Sequence, residues 1–175
     1  MKRSLNWLIG VTALAAAQQA SAQTVSATAT ASGTAAILQP VTLVKNSDLS
    51  FGSLVRPSIG ANTVTIDQSS GARSLSGGGD ASLAASTNTR ATYSVGGEGG
   101  ASFSVTVPGS FTLTRTGGTE TLPVSLTASA QSGSLNGALG SVGTANFGVG
   151  GSLPLSSSTV PGDYHGTFDV TVGYN

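Results

Sequence analysis

Cysteine is absent from this 175-residue chain, charged residues make up only 8% of it, and it holds a single histidine. Without cysteine there is neither a disulfide nor a thiolate metal site, so the chain must hold its fold by apolar burial. One imidazole, His165, cannot complete a zinc set without other histidines. Clustered positive charge is missing as well. Beyond the first residues the basic side chains are Lys45, Arg56, Arg73, Arg90 and Arg115, scattered singly and opposed by Asp48, Asp67, Asp80, Glu98, Glu120, Asp163 and Asp169. Nucleic acid is therefore excluded as a partner, because binding it requires grouped Lys and Arg to neutralise phosphates. Helical periodicity is not seen after the N-terminal apolar stretch.

That stretch is one of the clearest positive features. Met1, Lys2 and Arg3 give a basic start, residues 7–17 are mostly apolar, and Ala20-Ser21-Ala22 has the small residues of a cleavage site. The pattern predicts a cleaved secretory leader over residues 1–22 and one domain over residues 23–175. The expected location is the periplasm, the cell surface or the extracellular medium. The apolar stretch is shorter than the roughly 20 residues needed to cross a bilayer as a helix, so integral membrane insertion is not expected.

Past the leader, Val, Ile, Leu and Phe recur with a period of two between turn-forming Gly, Pro, Asn and Ser. Low charge together with regularly spaced branched and aromatic residues argues for folding over disorder. Candidate strands follow one another along the chain. Val25, Ala27, Ala29 and Ala31 alternate with Ser and Thr; residues 36–44 contain Pro40, which suits an edge or crossover; Leu49 and Phe51 share a face before Gly52. Val64 and Ile66 alternate with Thr63, Thr65 and Asp67, and Tyr93 shares a face with Ala91 and Val95. Later come Phe103 with Val105 and Val107, Phe111 with Leu113, Leu122 with Val124 and Leu126, Phe147 with Val149, and Leu153 with Leu155. In the last segment Tyr164, Gly166, Phe168, Val170, Val172 and Tyr174 fall on one parity and form the expected structural terminal strand.

About nine or ten short strands with turn signals every ~8–12 residues predict an all-β fold, an immunoglobulin-like antiparallel β-sandwich. An outer-membrane barrel suits the length less well, because its strands run to about ten residues and its aromatic residues cluster in girdles.

Chemistry-bearing constellations are sparse. Asp163 and His165 share the outward face of the last strand, which makes half a site at most, and the abundant Ser residues single out no nucleophile. Asp67, Asp80 and Glu98 lie in or beside turns, but no calcium-loop spacing accompanies them, so they are expected to be solvated turn residues. Tyr93, Tyr164 and Tyr174 point inward by parity, leaving no aromatic platform for a sugar. The expectation is a noncatalytic protein with no catalytic, cofactor-binding or metal-binding residues and no cofactor.

The segments ATATASGTAAILQPVTLVKNSDLSFGSL, NTVTID, ASFSVTVPGSFTLT and VPGDYHGTFDVTVGYN together resemble a family of small exported proteobacterial proteins classed as a domain of unknown function. The resemblance covers nearly all of residues 23–175 and is most specific at Asp48-Leu49-Ser50-Phe51-Gly52 and from Pro161 to Phe168. Members resemble fimbrial subunits and spore-coat-type pilin β-sandwiches in the terminal strand. The resemblance implies a structural or surface protein, a fimbria-like subunit whose N-terminal segment donates a strand to a neighbour. Val25, Ala27, Ala29 and Ala31 are the candidate donor strand, or alternatively an edge strand of their own domain. Self-association or a fimbrial assembly partner follows from the first reading. A periplasmic or secreted carbohydrate-binding module or adhesin, with a glycan partner, is the alternative.

Overall fold

The computed structural model describes residues 25–175, and the predicted leader at residues 1–22 lies outside them. The chain divides into two units, Met1–Ala35 and Ala36–Asn175. Within the first, residues 25–35 belong to no strand and every one is exposed. Val25, Ala27, Ala29 and Ala31 therefore do not form the edge strand offered as one of their two readings. Alanine side chains bury too little apolar area to hold an isolated segment against a sheet.

In the second unit Pro40 ends the irregular entry and β1 (Thr42–Ser47) follows, with a register shift between Lys45 and Ser47. A two-residue β2 (Leu54–Val55) precedes β3 (Ala61–Ile66), where Asn62, Val64 and Ile66 are buried as the alternation predicts. β4 (Arg73–Gly77) pairs back on β3, and β5 (Ser82–Leu83) pairs with β2. β6 (Ala91–Glu98) and β7 (Ser102–Thr106) flank a glycine turn, while Pro108-Gly109 leads into β8 (Ser110–Arg115). β9 (Thr121–Ala128), the short β10 (Ser132–Ser134) and the fifteen-residue β11 (Val142–Ser156) complete the central part. β12 (Tyr164–His165) and β13 (Thr171–Tyr174) close the chain. Of these thirteen strands three have two residues, leaving ten longer ones among the described residues.

All pairings are antiparallel. An eight-stranded sheet runs β1-β6-β11-β9-β8-β12, with β3 joined to β11 and β4 to β3, and a three-stranded sheet runs β10-β7-β13. Val95 and Phe147 from the first and Phe103 and Val105 from the second lie in one apolar core, giving an all-β sandwich. β11 is its spine. Val142 to Val149 pair with β6, Val149 to Ser152 pair with β9, and Gly151 to Ser156 pair with β3. No helix of the described residues is long and apolar enough to cross a membrane.

The terminal segment corrects the single strand expected of it. Tyr164 and His165 pair with Arg115 and Thr114 of β8, whereas Thr171 to Tyr174 pair with β7 in the other sheet, and residues 166–170 belong to neither. One continuous ladder cannot serve two sheets, so the chain leaves the first near Gly166, which lies against the Thr112 backbone. The two-residue alternation persists through the break. Tyr164, Phe168, Val170, Val172 and Tyr174 are half-buried, Gly166 is exposed, and Phe168 packs on Phe111 with ring centroids 5.0 Å apart.

Candidate functional site

After β1 the chain runs through residues 48–56 joined to the segment before β6 by a single bridge, Ser50 with Thr89, and by the short β2–β5 pair. Across from it run residues 159–168, which enter and leave β12. Between these walls lies a groove of about 1000 Å³. Its floor is apolar: Tyr93 from β6, Phe111 and Leu113 from β8, Leu122 from β9, and Leu153 and Leu155 from β11. Leu49 and Phe51 line one wall, Tyr164 and Phe168 the other. Leu113 and Leu122 project inward from their strands yet remain only half-buried, because among the described residues no strand covers them on the groove side.

Three arginines hold the walls. The Arg73 guanidinium donates to the carbonyls of Phe51 at 2.8 Å and Ala84 at 2.7 Å, fixing the turn around Gly52. Arg56 donates to the carbonyls of Ser157 and, at 3.1 Å, Thr159, and so ties one wall to the start of the other. Arg115 Nε donates to Pro161 at 2.9 Å, and its guanidinium also pairs with Glu120 at 3.4 Å. The Tyr164 hydroxyl donates to the Val160 carbonyl at 2.7 Å, so the second wall is also braced from within. Gly52 has a φ of 69°, a left-handed conformation natural to glycine, which explains its place after Phe51.

The rim is polar. Lys45 and Asp48 form an exposed ion pair at 2.5 Å, and the Asp48 hydrogen bond holds the Lys45 ammonium above its usual range. Tyr93, stacked on Phe147 at 5.2 Å between ring centroids, has its phenol raised by burial. Asp163 and His165 are both exposed near the rim, and no hydrogen bond links them. Among the described residues no group of three His, Asp or Glu side chains is placed to hold a metal ion. Asp67 instead accepts hydrogen bonds within its own turn, led by Ser70, which hold its carboxyl below the usual range. Asp80 is lowered in the same direction by the Ser58 hydroxyl and the Ile59 amide.

Glu98 differs from the solvated turn residue that the sequence suggests. It is 2% exposed, and its carboxylate accepts the backbone N–H groups of Gln39, at 3.2 Å, and Gly140. Its own N–H donates to the Tyr174 hydroxyl at 2.7 Å, and that hydroxyl donates to the Gln39 carbonyl at 2.7 Å. A buried carboxylate is tolerated here because backbone donors meet it. The entry to β1, the loop at residues 137–141 and the chain's last strand are thereby joined. Neither this clamp nor the arginine braces were singled out from sequence. The only local signal was Gly97, whose missing side chain leaves room for the Tyr174 hydroxyl.

Residues 41–174 match the model of a family described as Domain of unknown function (DUF4402). No curated protein matches the chain, and no solved structure does.

Proposed function

The chain belongs to the DUF4402 family, and we propose that it is a noncatalytic, exported structural component of a surface assembly, a fimbria-like subunit. The groove takes an extended strand from a second copy, and residues 25–31 are that strand. The observation that carries this reading is the braced, apolar-floored groove between residues 48–56 and 159–168, open where a strand would cover Leu113 and Leu122. The segment at 25–31 alternates, is fully exposed, and lies in a stretch from residue 23 to residue 44 without a charged side chain. An uncharged strand enters an apolar groove without the cost of burying a charge. Strand addition draws affinity from main-chain hydrogen bonds and selectivity from alternate side chains.

Magnitudes decide which contribution dominates. Each Ala methyl contributes about 0.8 kcal/mol on burial, and each added main-chain bond about 1 kcal/mol net. With three of the four inward residues being Ala, backbone pairing matters at least as much as side-chain packing. Ala29→Pro, which removes a donor, is therefore expected to weaken assembly more than Ala29→Gly. The test is sedimentation of the full chain over a concentration series. Concentration-dependent polymers that Ala29→Pro abolishes support the reading; a monomer at every concentration overturns it. Capture of a glycan by that monomer would favour the carbohydrate-binding alternative.

A further inference from the structure

We propose that the shallow depression bounded by Leu38, Ala101, Leu139 and Tyr174 seats a second copy of this chain, through a contact separate from strand capture. This rests on the strand-donor reading above and adds a second surface to it. Leu139 is 72% exposed and Leu38 43%, and Ile37, beside Leu38 in the chain, is 92% exposed. The elements around the depression, residues 36–44, 99–102, 137–144 and 173–175, contain no Lys, Arg, Asp, Glu or His. A surface free of exposed charged side chains, with protruding leucines, suits a protein partner that is equally free of them where it docks.

Position identifies that partner as another copy. In the β1–β6 pair Thr42 lies opposite Gly96 and Lys45 opposite Tyr93. The turn after Glu98, which borders the depression, is therefore at one end of this pair. Lys45 and Tyr93, which line the groove, are toward the other. The donor residues 25–31 are followed by residues 32–36, a connection able to span only about 17 Å even when fully extended. A neighbour that holds residues 25–31 in its groove is thus kept close to residues 37 and 38, beside the depression. The donor segment and the groove are different surfaces, so the contact is heterologous, and repeating it from copy to copy gives an open filament or a ring.

The surface is also held in shape. Glu98 accepts from Gln39 and Gly140, and Tyr174 bonds to both Gln39 and Glu98, so the segments carrying Leu38 and Leu139 are fixed to one buried carboxylate. Docking on a prearranged surface loses less conformational entropy than docking on a mobile one.

Leu139→Asp tests the inference, because an exposed loop residue can change without disturbing the core. A synthetic peptide of residues 25–36 should bind wild type and Leu139→Asp equally, whereas the concentration needed for full-chain assembly should rise at least tenfold in the variant. Leu38→Asp should act in the same direction. Assembly of both variants at the wild-type concentration overturns the second contact while strand capture stands. A wild-type chain that binds the peptide but stays monomeric also overturns the second contact. If the peptide fails to bind and wild type stays monomeric, the strand-donor reading falls and this inference falls with it.

Discussion

Near its middle, β11 is pressed so closely by its neighbours that a side chain at Gly148 or Gly150 would collide with the carbonyls of Gln68 and Ile66. A few residues later on the same strand, Leu153 and Leu155 form the floor of an open groove. The tight region is closed because β11 passes from β6 to β9 and β3 there, and backbone meets backbone. The open region exists because the described residues supply two walls and a floor but no strand between them. One strand thus shows both how this sandwich closes on itself and where it remains incomplete.

The sharpest way to break that contrast is at the tight end. Gly150→Val adds atoms where the Ile66 carbonyl and Gln68 amide already lie, and is expected to cost more than about 3 kcal/mol, seen as loss of a cooperative thermal transition. A smaller effect compares two leucines directly. Both line the groove floor, but Leu153→Ala, at a site 4% exposed, should cost about 2–5 kcal/mol in denaturant unfolding, whereas Leu122→Ala, at a half-exposed site, should cost clearly less. Equal losses would mean that the groove is filled in the isolated chain.

The smallest expected effect is electrostatic. Asp67 and Asp80 have carboxyls lowered from the usual 3.8 by hydrogen bonds in the fold. Their contribution is fully present above that value and is lost as pH falls through the lower folded values. Asp67→Asn with Asp80→Asn should therefore flatten the acid limb of a stability profile below about pH 4 and leave its slope near pH 7 unchanged.

Period-two alternation made most of the sandwich legible. Val64 with Ile66, Tyr93 with Val95, and Phe103 with Val105 are buried in the strands where they were expected. β4 was missed because Arg73–Gly77 offers one large apolar residue, Leu75, among Ser and Gly, and it is a strand only through its pairing with β3. The fifteen residues of β11 read as two separate faces because glycines 148, 150 and 151 look like a break in sequence, although backbone crowding requires them there.

The candidate site was less visible. Leu49 and Phe51, and Tyr164 and Phe168, were each assigned a face, but no local pattern showed that they would confront one another across a space. Glu98 was read as solvated because the amides that meet it belong to residues far along the chain, Gln39 and Gly140.

The arginines that hold the groove donate mainly to peptide carbonyls, which carry no titratable proton. Acid that protonates the aspartate turns leaves these fastenings chemically unchanged, and a reductant finds no sulfur bond to cut. The groove is thus built to keep its shape when acidity and redox poise change.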